Sequence, residues 1–194
     1  MPDATPVLGI HLSPNQAGTS KALLDQFGSG VVEAGAGFST LSISDFNNLS
    51  GCVECGACGR TGRCRISDDM DVFYEGFETA SRIVVASSLF FYDVPAQGKA
   101  VIDRSQAYWS KRYLLGQNKE GRPGARGFLL AVGATKGKDL FTPVSLSVKY
   151  FFDALAFPKT FGTLFIRSVE TRADLTEAQL REAKAAGFGF ATLD

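Results

Sequence analysis

The sequence predicts an α/β domain built on a doubly wound parallel sheet. Three observations carry that expectation. Five short apolar runs recur along the 194 residues, each joined to the next by a segment with helical periodicity. RIVVASS and GFLLAVGA are continuous apolar runs, as expected of strands covered on both faces. Strand–helix–strand crossovers force parallel pairing, and the order that follows is 2-1-3-4-5.

Taken in order, residues 6–12 (PVLGIHL) read as the first strand and SPNQAGTS as a loop. A helix follows, with Leu23, Leu24, Phe27 and Val31 on one face. Residues 38–43 (FSTLSI) alternate as a second strand should. Beyond a cysteine-rich segment, Ser67 opens a short helix whose Met70, Phe73 and Phe77 share a face. Residues 82–88 are the third strand. Pro95 suits the first turn of a helix carrying AQGKAVIDRSQAYW. Residues 127–134 are the fourth strand. Thr142-Pro143 caps a helix with Val144, Val148, Phe152 and Leu155 inward. Residues 160–166 are the fifth strand. Thr176 and Gln179 form a capping box for a last helix, which Gly187 ends. No repeat or linker divides the chain. Residues 1–194 read as one domain with a cysteine-loop insertion at about 47–67.

The bulk composition excludes some functions. Twenty basic and twenty acidic residues balance, so there is no electrostatic footprint for nucleic acid or an anionic membrane. The most apolar run, residues 83–91, is too short to span a bilayer, and the N-terminus has no signal-peptide pattern. The expected setting is the cytoplasm, where clustered cysteines serve metals or redox chemistry more often than disulfides.

In a doubly wound sheet, ligands bind at the carboxyl edge of the strands. Loops 13–20, 87–95 and 133–140 converge there, and the cysteine loop after strand 2 is expected on the same edge. The first loop leads into a helix N-terminus, which favours an anion, and Ser13, Asn15, Thr19 and Ser20 add neutral donors. A phosphate monoester fits; so does an ordinary polar loop with Thr19 or Ser20 as helix cap. The pattern is neither a Walker A motif nor G-x-G-x-x-G. The second loop presents Leu89, Phe90, Phe91 and Tyr92, which either stack on a flat ring or belong to the core or a subunit interface. A flat ring with a phosphate monoester points to FMN. ATKGKD would approach such a ring from the other side.

All four cysteines, Cys52, Cys55, Cys58 and Cys64, lie in C-x2-C-x2-C-x5-C. Three thiolates at two-residue gaps and a fourth nearby fit a 4Fe–4S cluster. Structural zinc, free thiols and a redox disulfide are the alternatives. Arg60, Arg63 and Arg65 offset part of the thiolate charge. The one histidine, His11, ends strand 1, a structural place more than a catalytic one. No Ser-His-Asp or paired-carboxylate set is present, so a bound flavin would carry the chemistry.

Several of these stretches resemble the iron–sulfur flavoproteins, a branch of the flavodoxin-like NAD(P)H-dependent FMN reductase family. They are SPNQAGTSKALLDQF, GCVECGACGRTGRCRISDDM, IVVASSLFFYDVPAQGKAVIDR and the ATKGKDLF segment. The resemblance implies a flavodoxin-like three-layer sandwich. It implies an FMN site formed by Ser13, Asn15, Gly18, Thr19 and Ser20 at the phosphate, Ser88, Leu89, Phe90, Phe91, Tyr92 and Asp93 against the isoalloxazine, and Ala134, Thr135, Lys136 and Gly137 beyond it. It implies the 4Fe–4S cluster on the four cysteines. The chain departs from the family in having Ser88 where Pro is frequent, and Tyr92 where a small residue is frequent. The expected function is an electron-transfer flavoprotein that takes electrons from a ferredoxin-like donor or NAD(P)H and passes them to a small acceptor. A homodimer or homotetramer is expected. The alternatives are an NAD(P)H-dependent FMN, quinone or azo reductase whose cysteine loop is structural or binds zinc, and a non-catalytic zinc-loop protein that binds a partner.

Overall fold

The computed structural model describes residues 5–193. The sheet is five-stranded and all parallel, in the order β2-β1-β3-β4-β5. The strands are β1 (Val7–His11), β2 (Phe38–Ser42), β3 (Arg82–Ser88), β4 (Arg126–Gly133) and β5 (Gly162–Arg167). The helices are α1 (Thr19–Glu33), α2 (Cys58–Thr61), α3 (Met70–Thr79), α4 (Ala96–Arg104), α5 (Gln106–Trp109), α6 (Thr142–Ala154) and α7 (Glu177–Thr192). Both expectations, the fold class and the strand order, hold.

The continuous apolar runs work as their pattern implies. Val84, Ala86, Leu130 and Val132 face a core shared with Leu23, Leu24, Phe27 and Val31 of α1 and with Ala183 and Phe190 of α7. Ile83, Val85, Leu129 and Ala131 face the opposite core, with Met70, Phe73, Phe77, Val101, Val144, Val148 and Phe152. Each Val, Leu, Ile, Phe or Met among them contributes about 1.5–3 kcal/mol by leaving water.

Local boundaries differ from the sequence reading in four places. Helix α3 begins at Met70 with Asp69 as its cap residue, because the Ser67 hydroxyl instead donates to Asp71 at 3.1 Å. Pro95 stands just before α4, and the expected long helix breaks at Ser105. The Ser105 hydroxyl bonds back to the Val101 carbonyl at 3.0 Å, a contact that bends helices. A π-helical turn, Ser110–Leu114, then continues from α5. Helix α6 begins at Thr142 itself, with Phe141 before it and Pro143 in its first turn. Helix α7 runs through Gly187 to Thr192. Gly187 and Gly30 are where α7 and α1 cross. A Cβ at either would lie 1.9 Å from a backbone oxygen of the other helix, Phe27 or Lys184 respectively. The Thr176–Gln179 capping box forms as read.

Candidate functional site

The parallel register brings the ends of β1, β3 and β4 to one edge. From β1 the chain enters loop 13–20, where the Asn15 side chain accepts from Ala17 N–H at 3.0 Å and its carbonyl from Gly18 N–H at 3.1 Å. Asn15 is thus used to shape the turn. Gly18 precedes α1 and brings no side-chain cap, and no acidic residue lies in the first turn. The opening amides of a fifteen-residue helix are therefore left to an outside acceptor, in a field that favours an anion.

Ser13, Thr19 and Ser20 are buried at this turn. The Ser13 hydroxyl accepts from the Ser88 backbone N–H at 2.8 Å and from the Ser20 hydroxyl at 3.1 Å. The Ser88 hydroxyl donates to Ser20 at 3.1 Å. Ser88 therefore ties the second loop to the first, and its side chain points into that tie. His11, fully buried, bridges Ser20 (Nε2, 3.0 Å) and Ser42 (Nδ1, 2.9 Å). Burial, and next the charge of Lys21, hold the imidazole down to about 4, so it is neutral at ordinary pH.

The second loop turns tightly at residues 90–93. Phe90 N–H donates to Asp93 C=O at 2.8 Å, and Asp93 N–H returns to Phe90 C=O at 3.2 Å. Phe91 and Tyr92 both have positive φ, 51° and 72°. This is a type I′ geometry, normally taken by Asn-Gly. In aromatic residues it costs roughly 1–2 kcal/mol each. Asp93 fixes the turn, accepting from Val94 N–H at 2.8 Å and the Ser147 hydroxyl at 2.7 Å. The result is Phe91 projecting fully into solvent, with Phe90 and Tyr92 half exposed and Leu89 partly buried at the loop's base. The third loop, Ala134, Thr135, Lys136 and Gly137, lies alongside. A Cβ at Gly137 would be 3.2 Å from the Tyr92 hydroxyl. Arg167, at the end of β5, donates to the Gly137 carbonyl and holds that loop. The structure thus gathers the three expected loops at one edge.

The cysteine loop is organised separately. Cys52, Cys55, Cys58 and Cys64 all line one cavity of about 580 Å³, with Arg65, Arg104, Ala107 and Leu114 among its walls. Gly62, with φ 69°, ends α2 in the left-handed conformation and reverses the chain toward Cys64. The Ser110 hydroxyl donates to Cys58 Sγ at 3.5 Å. All four thiols are free, and among the described residues no three His, Cys, Asp or Glu side chains are grouped to hold a metal ion.

Arg104 is the part of this site that sequence reading missed. Its buried guanidinium donates to the Ser50 and Ile66 carbonyls at 2.9 and 3.0 Å, and to both Asp68 oxygens at 2.9 and 3.1 Å. Those contacts grip the loop on both sides of the cysteines. Burial pushes the Asp68 carboxyl up, but Arg104 and the N–H groups of Ser50 and Met70 outweigh it and hold it below its ordinary range. Arg104 Nε is buried with no partner among the described residues. In the fold, Gly98, Val101, Arg104 and Tyr108 share one buried face of the helical segment, a face that the sequence alone does not assign to an arginine. Arg60, Arg63 and Arg65, the expected counter-charges, are exposed.

The cysteine cavity reaches Arg104 at the far end of α4, whereas the aromatic turn feeds its near end at Pro95. Nine helical residues separate the two by roughly 13 Å. Gln16 of loop 13–20 donates to Asp45, at the start of the segment that leads to the cysteines, while the residues lining the cysteine cavity come from that segment, α4, α5 and the π-helical turn.

Known proteins match the chain in family and in fold. A family model for NADPH-dependent FMN reductase matches residues 5–138. An iron-sulfur flavoprotein of Methanosarcina thermophila is 34% identical over 115 residues, 59% of each chain. One of Methanocaldococcus jannaschii is 32% identical over 100 residues, 52% of this chain and 51% of that one. The matched part is thus between half and three-fifths of these relatives' length. In fold, the chain is similar to an NAD(P)H:quinone oxidoreductase from Methanothermobacter marburgensis, with a TM-score of 0.76 at 17% identity over 98% of both chains.

Proposed function

The chain belongs to the NADPH-dependent FMN reductase family, and from that premise we propose that it is an FMN-dependent oxidoreductase that also carries a 4Fe–4S cluster. It would take electrons from a ferredoxin-like donor or NAD(P)H and deliver them to a small acceptor. FMN supplies one- and two-electron chemistry and the cluster one-electron exchange; the protein supplies position and field.

The residues at the carboxyl edge suit the flavin. The Ser13 and Thr19 hydroxyls and the uncapped backbone amides at the start of α1, that of Ser20 among them, offer donors to a phosphate monoester. Phe90, Phe91 and Tyr92 offer ring faces, and Gly137 lets the third loop come close to Tyr92. The iron–sulfur assignment rests on one observation above all. Four cysteines share a cavity with a fully buried arginine whose Nε–H has no acceptor among the described residues. A site with that lining favours an anionic group rich in sulfur acceptors. A single tetrahedral zinc would draw its sulfurs to within roughly 4 Å of one another. Cys52, Cys55, Cys58 and Cys64, which line a cavity of about 580 Å³, would hold the cluster, and it would supply one-electron exchange.

The test is anaerobic purification, an absorption spectrum, and iron and zinc counts on one sample. Flavin bands with about four irons per chain support the proposal, and Cys55→Ser should then lose iron while keeping FMN. Stoichiometric zinc without iron, or loss of flavin with iron retained in Cys55→Ser, would sink it.

A further inference from the structure

The hydrogen bonds around His11 leave one proton unplaced. Ser20 has a single hydroxyl hydrogen, and it goes to Ser13 at 3.1 Å. Ser20 Oγ also accepts from Ser88 Oγ at 3.1 Å and contacts His11 Nε2 at 3.0 Å. With its own hydrogen in use, Ser20 can only accept from the ring, so Nε2 carries the proton. A neutral imidazole then has Nδ1 as acceptor, which takes the Ser42 hydroxyl hydrogen at 2.9 Å. Ser42 in turn accepts from Ser44 at 2.8 Å. The hydroxyl chain from Ser44 through Ser42, His11 and Ser20 to Ser13 therefore runs in one direction.

At its end, Ser13 Oγ has both lone pairs filled, by the Ser88 N–H at 2.8 Å and by Ser20. Its own O–H must point elsewhere, and among the described residues no acceptor takes it. Ser13 opens the loop that ends at the uncapped start of α1. An anion held there is the acceptor the chain lacks.

We propose that His11 is a positioning residue for the flavin phosphate: locked as its Nε2–H tautomer by Ser42, it orients the relay so that the Ser13 hydroxyl donates outward into loop 13–20. The proposal rests on the FMN reading above. It gives a role to the one histidine, which touches no ligand itself, and explains why a buried, neutral ring stands between β2 and the phosphate loop. It also makes phosphate binding depend on Ser42, a residue in a different strand from the loop.

Because the chain has one histidine, ¹⁵N-histidine labelling gives a single pair of ring resonances. The experiment reads the tautomer of the wild type with and without FMN, and the dissociation constants of FMN and of riboflavin, which lacks the phosphate. The expected result is the Nε2–H tautomer in both states. Losing one oriented donor to a charged group should raise the FMN Kd roughly ten- to a hundred-fold in His11→Leu, with riboflavin unchanged. His11→Gln, which can donate from the Nε2 position, should recover most of that loss. Ser42→Ala keeps the ring and should mix the tautomers while weakening FMN alone, so the test survives even if His11→Leu does not fold. An Nδ1–H tautomer, or equal weakening of FMN and riboflavin, overturns the relay and leaves the cofactor reading intact. A wild type that does not prefer FMN to riboflavin overturns the cofactor reading and the relay with it.

Discussion

Replacing Arg104 with methionine would leave the Asp68 carboxylate buried without its cation. The two side chains are 0% and 2% exposed. Removing one partner of a buried pair costs about 3–5 kcal/mol, because the remaining charge stays desolvated. Asp68 keeps the N–H groups of Ser50 and Met70 at 2.9 and 3.1 Å, which places the expected loss at the low end, about 3 kcal/mol. For a chain of this size that is roughly 6–12 °C in Tm. The assay is urea unfolding of iron-free, reduced protein, so that metal content does not enter. Adding Asp68→Asn removes the stranded charge and should restore about half of the loss; the Ser50 and Ile66 carbonyls still lack their donor. Iron loading is a second readout. Arg104 grips the chain at Ser50 and Ile66, just outside Cys52 and Cys64, so the variant should take up less iron even at temperatures where it is folded. A loss below about 1 kcal/mol, or an Asp68→Asn effect that adds in full, would refute the clamp.

The remaining predictions follow from the same contacts. His11 binds its proton at about 4 in the fold and at 6.5 when unfolded. Its contribution of about 3 kcal/mol is therefore whole above pH 6.5 and fades as the pH falls toward 4. Lys21 works with burial to depress it, while Asp25 and Asp45 oppose them. His11→Gln should flatten stability against pH in the upper part of that window, before the carboxylates Asp68 and Glu78, both held below their ordinary range, begin to lose their own contribution as the pH falls further. Phe91→Asn with Tyr92→Gly should relieve the turn and raise stability by about 2 kcal/mol in urea, while FMN binding weakens. Gly187→Ala should cost about 3 kcal/mol by forcing α1 and α7 apart. Gly189→Ala, whose Cβ meets nothing within 4 Å, should stabilise by a few tenths to 1 kcal/mol, and equal unfolding midpoints for the two would refute the crossing.

What the sequence revealed, and what it hid, divide along a physical line. Periodicity is a property of one segment, so the strands, the buried faces of α1 and α6, and the sheet order could be read from it. A capping box is equally local, and Thr176–Gln179 formed as written. Gly187 failed because its reason lies in another helix. Gly is a usual helix stop, but here it serves close approach to Phe27, and no local pattern separates the two uses. Arg104 was hidden for the same reason. In isolation, an arginine at the end of AVIDR is a solvated charge, and only the packing of Ser50, Ile66 and Asp68 around it makes it the centre of the cysteine loop. The anchorage of the cysteine loop has the same origin. Strand order puts the start of the cysteine segment beside the carboxyl edge, and the Asp68–Arg104 pair fixes its later part to the end of α4. A single buried ion pair, costly to break, thus holds the cysteine loop against the end of α4.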